Sequence, residues 1–318
     1  MTDPDERIVD EGSAGKTLAA VVREAMGGIP WSRARKLCTT GKVRVNREVT
    51  VDPAIRLELG ARLEIDVTAP RRRAGMLAAE AVVHLDRDVV VVEKPAGLLS
   101  VPFDEADRDT LVDQTHALLR HRHGQRSSLG VVQRLDKDTT GLLVFARNLA
   151  AKRHLSQQLR EHTVLRRYVA IVHGRVVDAV HDTLLLENRG DGLRGSWGAF
   201  RKPRGGPPAS ARRSVTHVRP REALKGATLV ECRLETGRQH QIRIHLSESG
   251  HPLVGEQVYI RDYEGPRIEA ARPMLHAAVL GFTHPGTGEQ ITLRSEPPTD
   301  FRSLLEDLRT QGGRVRGG

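Results

Sequence analysis

The sequence predicts a protein of the α+β class, and three observations carry that expectation. At 318 residues the chain can hold one large domain and one small one, and can bury a sizeable core. Beyond residue 80, β-branched or alternating segments (88–93, 142–146, 227–234) fall between helical ones (110–120, 148–160, 300–308). Before residue 68 the order differs: two short helical stretches, then three short β segments. Aromatics are only 3% of the chain, so the core must be built from aliphatic side chains.

Charge narrows the function classes. Lys plus Arg number 50 against 40 Asp plus Glu, a surplus of +10 that points to a polyanionic partner, RNA or DNA first. Cys38 and Cys232 are far apart and have no C-x-x-C neighbour, which argues against a disulfide framework or a zinc site and fits a reducing compartment. The first 12 residues are acidic and polar, unlike a signal peptide, and no apolar run approaches the roughly 20 residues of a membrane helix. The expectation is a soluble, cytoplasmic protein.

Residues 1–13 carry Asp3, Asp5, Glu6, Asp10 and Glu11 with few apolar neighbours, the composition of a disordered tail. The stretch 17–26 has helical spacing and stops at Gly27-Gly28-Ile29-Pro30. A second helix, 31–38, has Ser32 as its expected N-cap and Gly41 just past its end. In the β segments 42–46, 48–51 and 62–67, alternation sets Val43 with Val45, and Leu63 with Ile65 and Val67, on single faces. This order, with Ser32-Arg33-Ala34-Arg35-Lys36-Leu37 ahead of Gly41-Lys42-Val43-Arg44-Val45-Asn46, resembles the S4 RNA-binding domain over 14–68. The resemblance implies RNA contacts from Ser32, Arg33, Arg35, Lys36, Lys42, Arg44 and Asn46, since clustered long cations suit phosphates. Without it, these residues read equally well as a solvated basic face. Residues 69–79, with Arg at 71–73 between Pro70 and Gly75, read as a linker.

The most informative stretch runs from Val131 to Asn148. A charged hexad, Arg134-Leu135-Asp136-Lys137-Asp138-Thr139, is punctuated by Gly141 and runs into the apolar 142–146. Asp136, with Arg134 beside it, is placed to be a nucleophile or a base, or simply a paired acid in a surface loop. Downstream, 165–174 alternates as a strand and carries Tyr168, which on its residues alone is a packed ring with a hydrogen-bonded hydroxyl. Further on come Thr236-Gly237-Arg238-Gln239-His240-Gln241-Ile242-Arg243-Ile244-His245-Leu246 and Gly250-His251-Pro252-Leu253-Val254-Gly255. His240 and His245 are five apart, a spacing that suits neither one helix face nor one strand face, and no Cys or carboxylate cluster joins them; a metal site is not expected.

Taken together, Arg134-Leu135-Asp136 with Thr139-Thr140-Gly141-Leu142-Leu143, the Arg167-Tyr168-x-Ala170 segment and the 236–255 stretch resemble the RluA-type pseudouridine synthases. Lys94-Pro95-Ala96-Gly97 resembles the opening of the same domain, though Lys94 by itself reads as a solvated charge. The resemblance implies an α+β catalytic domain over 80–310 with a mixed, mostly antiparallel sheet, flanked by a disordered tail at 311–318. It implies Asp136 as the catalytic aspartate, nucleophile or base at the sugar, Arg243 as the cation that orients it and Tyr168 against the target base. It further implies RNA contacts from Arg134, Arg238, His240 and Gln241, with Arg134 filling the gap left by a flipped nucleotide. No cofactor is implied, and the partner is RNA, ribosomal ahead of transfer RNA, bound by a monomer. Gln133, Thr140 and Glu256 stand where the family usually has His, Ser and Asp; none of these departures is expected to touch the Asp136–Tyr168–Arg243 set. The region 187–213, rich in Gly, Pro and Arg, reads either as an insertion closing over RNA or as a disordered loop.

Two other functions fit parts of the pattern. A non-catalytic RNA-binding or ribosome-assembly protein would use the same surface and tolerate Asp136→Asn. A nucleoside hydrolase would need two carboxylates flanking the bond, a pairing that Asp138 does not supply predictably.

Overall fold

The computed structural model describes residues 5–50, 53–68, 77–103, 107–123, 128–200 and 205–313. The linker arginines 71–73 and the end of the expected C-terminal tail lie outside these residues. The chain divides into two compact units, residues 1–77 with 101–126, and residues 78–100 with 127–318. The segment 101–126, expected within the catalytic domain, therefore clusters with the first unit. It contains α3 (Leu111–His123), which buries Leu111, Leu118 and Leu119.

The first unit pairs α1 (Leu18–Ala25) and α2 (Trp31–Thr39) with a four-stranded antiparallel sheet. Its strands are β1 (Asp5–Ile8), β2 (Val43–Val45), β3 (Glu48–Val49) and β4 (Arg62–Ile65), in the order β1-β4-β2-β3. Leu18, Val22, Ala34, Cys38, Val43 and Leu63 form its core, the faces that the spacing marked. Several expectations need correction. Residues 5–8 are an edge strand on β4, and Val9 is buried with its N–H on the Ala61 carbonyl. An edge strand completes a ladder with its backbone, so acidic side chains facing water do not prevent it. Pro30, not Ser32, holds the N-cap position of α2, and Ser32 is an exposed residue of the first turn. Val67 is exposed because β4 ends at Ile65 and Asp66 turns the chain, accepting from the Thr68 N–H.

The second unit is built on an eleven-stranded sheet. Nine strands follow the order β11-β10-β12-β13-β9-β14-β8-β6-β5, with β15 added to β14 and β7 to β8. The strands are β5 (Val82–Leu85), β6 (Val89–Lys94), β7 (Gly130–Val131), β8 (Thr140–Ala146), β9 (Leu165–His173), β10 (Ala179–Leu186), β11 (Gly195–Ser196), β12 (Arg212–Leu224), β13 (Ala227–Leu234), β14 (Leu275–Thr283) and β15 (Gln290–Arg294). Every pairing is antiparallel except β8 with β14, so the sheet is mixed and mostly antiparallel, as expected. The Val-rich run of β6 is buried because the strand lies between β5 and β8, and Val89 and Val91 pack with Leu142, Val144 and Phe282. Helix α4 (Leu149–Arg160) lays Ala151 and Leu155 on the same cluster, and its N-cap Asn148 accepts from the Ala151 N–H at 2.8 Å. Helix α6 (Thr299–Gly313) packs Phe301 and Leu308 against Ile171 and Met274 and takes in the start of the expected tail. The described part of 187–213 is ordered: β11 pairs with β10, and Arg189 bridges Asp191, Glu248 and Asp262.

The turn between β5 and β6 is tied to the end of β14 by Asp86. One carboxylate oxygen meets His84 Nε2 at 2.6 Å and His284 Nε2 at 2.9 Å; the other accepts the N–H groups of Asp88 and Val89. Burial works against the charge, but these bonds prevail and hold the carboxyl down at about 2. The folded pKa lies below the unfolded 3.8, so the stabilisation is present above that value and lost as pH falls toward 2. Unfolding free energy, followed by urea titration, should drop about 1–2 kcal/mol more for wild type than for Asp86→Asn across that acid window.

Candidate active site

Asp136 sits in the loop from β7 to β8, and the loop is fastened from several sides. Lys94 is 1% exposed, and its ammonium donates to the carbonyls of Pro95 at 2.8 Å, Leu98 at 2.7 Å and Lys137 at 2.6 Å. Three N–H donors thus meet three acceptors, which lets a cation be buried. Burial pulls this amine down to about 7, against the opposing pull of Asp138 and Asp136. The reading of Lys94 as a solvated charge is therefore wrong; it clamps the loop next to Asp136. Ser100 adds a reciprocal pair, its hydroxyl donating to the Leu135 carbonyl at 2.7 Å and accepting the Leu135 N–H at 2.9 Å. Arg272 donates to the Asp138 carbonyl at 3.1 Å, and the Thr140 hydroxyl meets His276 Nδ1 at 2.9 Å.

Gly141 has a specific reason to be glycine. It lies where β8 runs parallel to β14, opposite Ala277, with φ at +109°. A β-carbon there would overlap the Ala277 backbone. The close approach is thus to a neighbouring strand, and it fixes where the Asp136 loop enters the sheet.

Arg243 reaches Asp136 from α5 (Gln241–Glu248), its Nη1 standing 3.9 Å from a carboxylate oxygen. His240 stands 3.9 Å from the other oxygen. The tight partner of Arg243 is Glu256, which accepts from Nη2 at 2.6 Å and Nε at 2.8 Å. The Glu256 side chain is fully buried and also accepts the N–H groups of Gln257, Val258 and Tyr259. Burial favours the neutral acid, but the Arg243 bonds overcome it and hold Glu256 below the ordinary range. For Arg243, burial is likewise outweighed by Glu256, and its pKa is raised. Glu256 therefore touches the Asp136–Tyr168–Arg243 set directly, contrary to expectation: it occupies Nε and Nη2, so that Nη1 remains for Asp136. The Tyr259 ring lies under the guanidinium, 5.3 Å from its carbon, and the Tyr259 hydroxyl meets His240 Nδ1 at 2.8 Å.

Tyr168 projects from β9 and is 8% exposed, with no hydrogen-bond partner for its hydroxyl among the described residues. Burial pushes the phenol up to about 12, so it stays protonated near neutral pH. Asp136, Tyr168 and Arg243 line one cavity of about 820 Å³, together with Arg134, Arg238, His240 and Gln241.

The remaining candidates separate by role. Arg134 is exposed and donates to Gln239 Oε1 at 2.9 Å. Arg238 is exposed at the rim. Gln241 is not available to RNA: its oxygen accepts from the Thr236 hydroxyl and the Arg238 N–H, and its nitrogen donates to the Val215 carbonyl and the Thr216 hydroxyl. Its task is to pin the start of α5. His240, in the left-handed region at φ 58°, is beside Asp136. In the first unit, Ser32, Arg33, Arg35, Lys36 and Arg44 are exposed, and Lys42 is half-buried. Asn46 is an exposed turn residue with φ at +51°, its side-chain oxygen accepting the Arg62 N–H at 2.8 Å.

His245 is buried between the hydroxyls of Thr183 and Thr216. Among the described residues, His84, Asp86 and His284 have ligand-type atoms close enough to share an ion. Yet Nδ1 of His284 accepts the N–H groups of Gly286 and Thr287, so its Nε2 carries the proton and points it at Asp86. The trio is a hydrogen-bonded clasp, and its chemistry does not fit a metal. No helix among the described residues is long and apolar enough to cross a membrane.

A large mixed sheet with an acid, a guanidinium and a phenol on one cavity defines a class of site, and comparison with known proteins identifies it. The family model described as RNA pseudouridylate synthase matches residues 88–248. "Ribosomal large subunit pseudouridine synthase D" of Zymomonas mobilis is 34% identical over 96% of this chain and 98% of its own length. "Uncharacterized RNA pseudouridine synthase YlyB" of Bacillus subtilis is 38% identical over 78% of this chain and 80% of its own. The chain belongs to the RNA pseudouridylate synthase family and is an isomerase of that kind. The solved "Human RNA Pseudouridylate Synthase Domain Containing 4" shares the fold, with a TM-score of 0.58 at 23% identity over 72% of this chain and 93% of that one.

Removing the Glu256 carboxylate would strand the Arg243 charge. Glu256→Ala should lower unfolding free energy by about 3–5 kcal/mol in urea titration. Glu256→Asp should retain more of both stability and turnover.

Proposed function

We propose that this chain converts uridine to pseudouridine in ribosomal RNA, with Asp136 acting at the sugar of a uridine turned out of its stack. The observation that carries the reading is the convergence of Asp136, Arg243 and Tyr168 on one cavity. The printed name of the Zymomonas relative, a ribosomal large subunit enzyme, favours ribosomal over transfer RNA.

In this reaction the N1–C1′ bond breaks, the uracil turns, C5 bonds to C1′, the C5 proton leaves and N1 gains one. Asp136 serves as nucleophile at C1′ or base at C2′. Its carboxylate accepts no hydrogen bond from the described residues, so both oxygens are open to substrate, with Arg243 and His240 nearby but not in contact. Arg243 cannot swing away, because Glu256 and the Tyr259 ring hold it. Tyr168 offers the base a ring and an unpartnered hydroxyl; as a proton acceptor it is weak, because the phenol is already protonated. Arg134 and Arg238 at the rim suit phosphates or the gap left by the turned-out base.

Ribosomal RNA carrying tritium at uridine C5 provides the test. Wild type should release tritium to water, and Asp136→Asn should be at least about 10³-fold slower, with RNA affinity nearly unchanged. Release from transfer RNA but not ribosomal RNA would overturn the substrate choice; an active Asp136→Asn would overturn the catalytic assignment.

The first unit is proposed as an S4-like RNA-binding module. Its support is the exposed row Ser32, Arg33, Arg35 and Lys36, opposite the buried Ala34 and Cys38 on α2. Arg35→Glu with Lys36→Glu should weaken RNA binding about tenfold or more and flatten its salt dependence by about two contacts, leaving the rate at saturating RNA within about twofold.

A further inference from the structure

A second guanidinium, that of Arg166, stands on the wall of the same cavity. It projects from β9 two residues before Tyr168, hence on the same face of the strand. Arg166 is 8% exposed. Nη2 donates to the Glu235 carbonyl at 2.6 Å, whereas Nε is buried with no partner. Nη1 lies against Gly237, where any β-carbon would collide with it. No carboxylate of the described residues pairs with this cation; the charged or titratable neighbours that act on it are Tyr168 and another cation, Arg238.

That isolation sets it apart from the other buried cations around the site. Arg243 has Glu256, Lys94 has three carbonyls, and Arg272 has Asp300. A buried charge without a counter-charge is costly, and leaving one donor nitrogen orphaned adds to the cost. A fold that keeps such a group at a cavity wall is electrostatically complete only once an anion enters.

The geometry points to Arg166 as the counter-ion of the detached uracil: the catalytic residue that holds the base's negative charge while the base turns. The inference rests on the pseudouridine synthase reading and deepens it. Breaking N1–C1′ leaves its electron pair on the uracil, spread over N1, O2 and O4. The sugar carbon is meanwhile satisfied by an ester oxygen from Asp136 or by loss of the C2′ proton to it, so the base is anionic on either route. The charge lasts until the C5 pair closes on C1′, the C5 proton leaves to a base and N1 is protonated. A guanidinium beside the Tyr168 ring, with Nη1 carrying no hydrogen bond among the described residues, can donate to the edge of a planar anion and stabilises it more than neutral uracil. Arg243 cannot do this, because its fork is occupied by Glu256.

Three measurements test the assignment. On C5-tritiated ribosomal RNA, Arg166→Gln should lower kcat about 10²–10³-fold while the Kd for RNA stays within about threefold, and Arg166→Lys should fall between. A loss confined to RNA affinity or KM would mean that Arg166 grips a backbone phosphate, and would overturn the proposal; so would unchanged turnover. Should Arg166→Gln not fold, wild type alone decides. Calorimetric titration with 5-nitrouracil, above and below that compound's own pKa, should show at least tenfold tighter binding of the anion. No preference, or no binding of the anion, counts against Arg166. A wild type that releases no tritium sinks the pseudouridine synthase reading itself; an active wild type matched by Arg166→Gln sinks this inference alone.

Discussion

The bidentate bond between Glu256 and Arg243 is the constraint on which the site depends. A carboxylate with no solvent contact is tolerable only if it is charged and fully satisfied, or else neutral. Glu256 takes the first course, with two guanidinium nitrogens and three backbone N–H groups. That solution removes two of the three donor positions of Arg243 and orients the third. The 3.9 Å gap from Nη1 to Asp136 follows from it: the guanidinium is held by the better partner and offers the acid attraction without a hydrogen bond. The Asp136 carboxylate thus stays accessible, with Arg243 and His240 near it and neither bonded to it.

The scaffold delivers Asp136 to that position by equally local means. Parallel pairing of β8 with β14 brings two backbones together at Gly141, and only a residue without a side chain fits there. Lys94, Ser100 and Arg272 then hold five carbonyls, those of Leu135, Lys137 and Asp138 in the loop and of Pro95 and Leu98 beside it. Each clamp grips main chain, not side chain, so the loop is fixed while the Asp136 carboxylate remains unengaged.

How much of this was legible in the sequence depended on the kind of signal. Periodicity located α1, α4, β6 and β13, because apolar spacing reports burial directly. Side-chain composition misread residues 5–8, since a strand at a sheet edge is held by its backbone. Motif residues located Asp136, Tyr168 and Arg243, but not what supports them. Lys94 looked solvated because its acceptors are carbonyls, one of them on Lys137, and carbonyls carry no sequence identity. Glu256 looked incidental because it is 13 residues from Arg243, too far for any local pattern to couple them. No local signal marked it, because other acids (Glu248, Asp262, Glu264) lie within eight residues of Glu256 and nothing in the spacing singles it out. Gln241 looked like an RNA contact for the converse reason. Polar side chains at turns and helix starts serve the backbone first, and only the structure reveals that their hydrogen bonds are spent.

The charge arrangement explains why a basic chain places an acid at its centre. The cavity is lined by Arg134, Arg160, Arg166, Arg238 and Arg243, with Asp136 as its one carboxylate. Glu256 behind the wall cancels much of Arg243, so Asp136 is not overwhelmed by the nearest cation. The exposed arginines at the rim, Arg134 and Arg238, suit the phosphates of a polyanion. What lacks a carboxylate partner among the described residues is Arg166, mostly buried in the cavity wall. An enzyme that must detach a base with its electron pair, and keep that base from escaping, needs the charge at that depth and nowhere nearer the surface.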